Sequence, residues 1–140
     1  MKTVKAILFW LVSWTWGLPM TLFGLLCALA MLITGHKPHL FHYFVYFEVG
    51  HAWGGFEAGC FFFVQKGAGI SIKQHEAGHG LQNIMLGVFM PFVISIPSMV
   101  RYWYREYLVR SGKKLSWELP PYDGIWFEGW ATALGKKHYN

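Results

Sequence analysis

The chain has 140 residues, room for one domain of ordinary size and not for two. Apolar residues make up 54% and charged residues 14%, where an ordinary soluble domain carries roughly a quarter charged residues. That balance excludes a disordered chain, a collagen and a coiled coil. It also argues against an ordinary soluble enzyme, since a small domain cannot hide so much apolar surface.

An integral membrane protein, mainly α, is therefore the expected class. The net charge of +5 comes from 12 Lys and Arg against 7 Asp and Glu. No basic block alternates with polar groups as a nucleic-acid groove requires, so no nucleic-acid partner is expected. Basic ends on an apolar chain suit a lipid bilayer instead. Cys27 and Cys60 form no CxxC pair and no disulfide framework.

Residues 6–33 are uncharged and apolar behind Lys2 and Lys5. The run exceeds the roughly 20 residues that cross a bilayer and the 7–15 of a signal-peptide core, which predicts a retained transmembrane helix. Pro19 should kink it, with Trp10, Trp14 and Trp16 as an interfacial belt. Residues 40–64 carry Glu48, His51 and Glu57 and make a poor span. Their aromatic and β-branched runs, Phe41–Val49 and Gly55–Val64, flank the turn His51–Gly54 and read as a β-hairpin; a broken or re-entrant helix is the competing reading.

Ser71 and Gln74 make a capping box that opens a helix over 71–87, closed by Gly87. Residues 88–111 hold Pro91 and Pro97 and form a proline-broken second membrane segment. It ends in Arg101, Arg105 and Arg110 among aromatics, as an interfacial helix would. A short last helix is expected over 124–134. Positive-inside counting puts the N-terminus and the Arg101–Lys114 stretch in the cytoplasm, with two crossings between them.

His75-Glu76-Ala77-Gly78-His79 is an H-E-x-x-H sequence. Residues four apart share a helix face, so His75 and His79 can offer two imidazoles to one metal, with Glu76 beside them as general base. The motif, following an apolar strand candidate, resembles the H-E-x-x-H zinc membrane proteases. Trp53-Gly54-Gly55, His75–Gln82 and Ile96-Pro97-Ser98 are also similar to a group of short, uncharacterised bacterial membrane proteins. The expected location is a cell membrane, the bacterial inner membrane on that resemblance.

A catalytic zinc wants a third protein ligand. Phe127-Glu128-Gly129-Trp130-Ala131 resembles the later helix of gluzincins, including the prenyl-protein and heat-shock membrane proteases, and implies Glu128. Those families often place an acid four residues on, where this chain has Thr132. Tyr122-Asp123-Gly124 resembles the Asp-Gly element of site-2 proteases and leaves Asp123 as the alternative. His36, His39, His42, His51, Glu48 and Glu57 are further candidates. The three-residue spacing of the first histidines resembles di-iron histidine boxes, but those generally use about eight histidines and the chain has 7.

The expected function is a membrane-embedded zinc-dependent endopeptidase acting on a peptide or membrane-protein substrate. Glu76 would be its base, His75, His79 and Glu128 its ligands, and Tyr122, Tyr104 or Arg101 its oxyanion donor. A substrate strand would add along the edge of Gly55–Val64, involving Gly55, Phe62 and Val64. The alternative is a non-catalytic zinc-binding membrane module or a subunit of a larger complex.

Overall fold

A computed structural model describes residues 2–140, which are mainly helical around one small mixed sheet. The N-terminal apolar run is not one helix. It forms α1 (Lys2–Ser13) and α2 (Leu18–Ile33), bent by 97° at the break. Pro19 sits in the first turn of α2, where its missing N–H costs nothing. Gly17 at the corner lies against Asn83, and a Cβ there would come within 2.6 Å of the Asn83 amide nitrogen. The corner thus packs on the later helix that carries the motif.

The expected single hairpin is replaced by four strands. β1 (His39–Phe41) pairs antiparallel with β2 (Phe44–Glu48), and β3 (Gly55–Ala58) pairs antiparallel with β4 (Phe61–Val64). β2 and β4 then pair in parallel, in register Val45 to Phe61, giving the order β1-β2-β4-β3. His51–Gly54 is therefore part of the crossover between two hairpins. The true tight turns are His42-Tyr43 and Gly59-Cys60, where His42 and Gly59 take positive φ.

All four residues of β4 are buried, as expected of a strand covered on both faces. α2 packs on the face that carries Ala58 and Phe61, where Gly24 allows close approach. α3 (Ile70–Leu86) packs on the opposite face, with Gly80 against the Phe44 ring. Among the core, Phe44, Phe62 and Val64 are fully buried.

α3 starts two residues before the capping box places it. Gly69 is its N-cap and no side chain caps it, because Ser71 already lies inside the first turn. Gly87 ends it with φ 55, as anticipated, and a Cβ there would collide with the Trp16 indole. A 3₁₀ turn (Gly87–Phe89) and a π turn (Pro91–Ser95) follow, then α4 (Ile96–Arg110), which buries none of its residues. The last helix, α5 (Trp126–His138), is longer than 124–134 and packs along α3.

No single described helix is long and apolar enough to cross a membrane. Two bent pairs have the combined length and apolarity: α1 with α2, and Ile70–Phe89 with Pro91–Arg110 at 116°.

Candidate metal centre

α3 and α5 approach closely because both are small where they touch. A Cβ at Gly78 would run into the Ala131 backbone, and one at Gly135 into the Gln74 carbonyl. This contact seats Glu128, in the first turn of α5, against the His75–His79 face of α3. His75 Nε2 lies 3.3 Å from Glu128 Oε2, and His79 Nε2 lies 3.2 Å from Glu128 Oε1. Glu128 is fully buried, and the three ligating atoms lie within 4.8 Å of one another. The cluster could hold a metal ion.

The hydrogen bonds behind the imidazoles decide whether they are ready to bind one. Thr132 Oγ1 donates its only proton to Asp123 Oδ2 at 3.3 Å, so at 2.8 Å it must accept from His75 Nδ1. Gln82 Nε2 donates to the Phe127 carbonyl at 2.9 Å, so its Oε1, 2.6 Å from His79 Nδ1, accepts. Both Nδ1 atoms therefore carry protons, and both Nε2 lone pairs face the Glu128 carboxylate. Three acceptors turned on one another suit a cation between them, and fixing the far nitrogen is how proteins orient metal-binding histidines. His75 Nε2 and Glu128 Oε2 are buried with no hydrogen-bond partner of their own. The residues fit a metal.

Burial alone would raise the Glu128 carboxyl, but protons on Nε2 of His75 and His79 would hold it well below the usual carboxylate range through their hydrogen bonds and charge. A cation in place of those protons would likewise keep it ionised, as a ligand must be. Ser98 adds a hydrogen bond to Glu128 Oε1 at 2.8 Å.

Glu76 is 5% exposed and borders two cavities that meet at the site. The larger, about 430 Å³, runs between β3, α3 and the π turn–α4 segment. The smaller, about 320 Å³, is lined by His75, Asp123 and Thr132 among others. Tyr122 borders both. Burial and the nearby Glu128 push its phenol above the ordinary value, so it stays a proton donor. The Arg101 and Arg105 guanidinium groups stand 5.0 and 5.5 Å over its ring. They also donate to the Pro121 and Pro120 carbonyls, pinning that loop to α4.

The other sequence candidates fall elsewhere. Asp123 reaches His75 only through Thr132, so it supports a ligand and does not join the set. His36 bonds the Thr34 hydroxyl, His39 stacks on Tyr46, His42 packs on Tyr139, and His51 is exposed. Glu48 accepts from the Gly67 amide, and Tyr104 is 60% exposed. Phe62 and Val64 cannot take a substrate strand, because β4 is paired on both sides and both side chains are in the core. The sheet edge beside the cleft is β3, and its Gly55 lines that cleft.

Sequence reasoning missed Gln82 and read Thr132 as a gap in the pattern. Gln82 was findable: it lies three residues after His79, on the same helix face. A comparison with family models, curated proteins and solved structures finds no match to the chain.

Proposed function

We propose that the protein is a membrane-embedded, zinc-dependent endopeptidase. The observation that carries this reading is the convergence of two imidazoles and one carboxylate next to a second, separate carboxylate, Glu76, at the floor of a cleft. Two histidines and a glutamate make a three-ligand set typical of catalytic zinc, with a fourth position for water or substrate. A structural site would have no use for Glu76. When bound, zinc would polarise the scissile carbonyl and acidify water at the site.

The chain's own groups supply the remaining chemistry. The substrate extends along the free edge of β3, where Gly55 keeps the backbone bare beside Glu76. Glu76 accepts a proton from the attacking water and returns it to the leaving amine. The Tyr122 hydroxyl, held protonated, donates to the developing oxyanion. Hydrolysis adds water across the peptide bond, and no other reactant is needed.

The membrane part of the proposal rests on exposed apolar side chains. Leu8, Leu11, Phe23, Leu26, Phe92 and Trp103 are each about half exposed or more, on α1, α2 and the segment from the π turn into α4. Apolar area of that extent on a small protein marks a covered surface, here by lipid.

The test is purification in detergent with metal analysis, followed by cleavage of an unfolded membrane-protein substrate. Glu76→Gln should retain zinc and lose turnover by about 10²–10⁴-fold, the usual worth of a general base. Near-normal turnover in that variant would overturn the mechanism.

A further inference from the structure

The mechanism leaves one buried acid of the cleft unused. Glu57, on β3, is 5% exposed and lines the same cavity as Glu76 and His79. One of its oxygens, Oε1, has no hydrogen-bond partner, and the nearby Gly59 amide favours its charged form. Strand geometry explains its direction. Side chains two apart share a face, and a Cβ on Gly55 would lie 2.9 Å from Glu76 Oε1. Glu57, two residues on, projects from that same face toward α3.

Its surroundings are those of a receptor for a cation. The cleft wall is aromatic, with Trp53, Tyr102 and Trp103, and such rings attract Lys and Arg heads. Met99, exposed along the cleft, offers apolar surface for a methylene stem. The cation that borders the cleft, Arg110, is already engaged by Glu106 at 3.2 Å. Burial and the neighbouring Glu76 carboxylate push the Glu57 carboxyl well above its ordinary range. An incoming cation would relieve both effects.

We propose that Glu57 is a specificity residue that receives a Lys or Arg side chain of the peptide substrate. The proposal rests on the endopeptidase reading for its choice of a peptide ligand. The competing role for Glu57 is structural, steadying the β3–β4 turn beside the Gly59 amide. Glu57→Gln separates the two, because the side-chain amide oxygen can still face the Gly59 N–H while the charge is lost.

The experiment measures binding to the zinc-loaded Glu76→Gln protein in detergent, so that no turnover intervenes. The probes are capped Ala/Leu heptapeptides with one Lys walked through each position, each paired with a norleucine control of matching stem. At one position the Lys peptide should bind about tenfold or more tighter than its control, a typical worth for a buried charge pair. Adding Glu57→Gln should bring that ratio to within about twofold, whereas Glu57→Asp, which keeps the charge, should preserve a preference. A preference found at no position, or one that survives Glu57→Gln, overturns the proposal. If the preference depends on Glu57 but the parent protein cleaves none of the peptides, the binding role stands and the endopeptidase reading fails. If the parent cleaves Lys and norleucine peptides with equal kcat/KM, the proteolytic reading stands and the Glu57 assignment fails.

Discussion

The α3–α5 contact and the α1–α2 and α4 surfaces solve the problem of apolar burial in opposite ways. Between α3 and α5, Gly78 and Gly135 bring two backbones together, and the space is filled with buried polar groups, Gln82, His79 and Glu128. α4 buries no residue, and α2 leaves Leu22, Phe23, Leu26, Leu29, Leu32 and Ile33 exposed. The first region is complete within the chain. The second leaves its apolar side chains exposed. On the proposed reading, lipid covers them while the polar site stays inside.

The sharpest way to break this contrast is at Gly78. Helix propensity says that Gly78→Ala should stabilise α3 by up to about 1 kcal/mol. The packing says the reverse, because the new methyl would meet the Ala131 backbone, which cannot rotate away as a side chain can. Gly78→Ala should cost about 1–3 kcal/mol as an overpacked contact, and Gly78→Val more. Both should also loosen the metal by moving Glu128 away from the imidazoles. Thermal unfolding in detergent, beside a zinc titration, reads both effects. A stabilised Gly78→Ala protein would mean that the two helices do not touch as described.

Within the packed region, ligands and their supports should separate by size of effect. Glu128→Ala removes a ligand and should weaken zinc by well over an order of magnitude. Thr132→Ala and Asp123→Ala leave the ligand set whole but free the His75 ring, and each should weaken zinc by about tenfold. Asp123 caps no helix here, since α5 begins at Trp126 behind Ile125 and has no side-chain cap. Zinc lost with Asp123 but kept without Glu128 would reverse the ligand assignment.

The site was far more legible in the sequence than the sheet. His75, Glu76 and His79 are four-residue neighbours on one helix, and local spacing alone puts them together. Glu128 was implied by the resemblance of Phe127–Ala131 to the gluzincin helix, and the close contact at Ala131 and Gly135 is what brings it to the histidines. The sheet turns on a parallel pairing of β2 with β4, residues apart in sequence and joined by no local turn signal. Two aromatic runs with glycines between them look like one hairpin until that pairing is known. Ser71 misled for a smaller reason: the helix began two residues early, and a residue in the second helical position caps nothing. Pro19 was expected to kink one long helix; the chain instead breaks before it, and the 97° turn has Gly17 seated against Asn83.

The outward-facing region offers the smallest effect on folding and the cleanest test of its cover. Leu26 on α2 is 59% exposed and Phe92 on the π turn is 72% exposed, and neither is near the metal ligands in sequence or in the cleft lining. In detergent, Leu26→Lys and Phe92→Lys should each change stability by no more than about 0.5 kcal/mol, as exposed substitutions do. Zinc content should be unaltered. In a bilayer the same substitutions expose a charge to hydrocarbon, worth about 3 kcal/mol at the centre of a span. Partition of the protein between vesicles and buffer should therefore fall for both variants while the metal stays bound. Partition unchanged in both would leave those faces without lipid contact. Loss of zinc together with partition would show that the two regions are coupled, and that the polar site depends on its apolar cover.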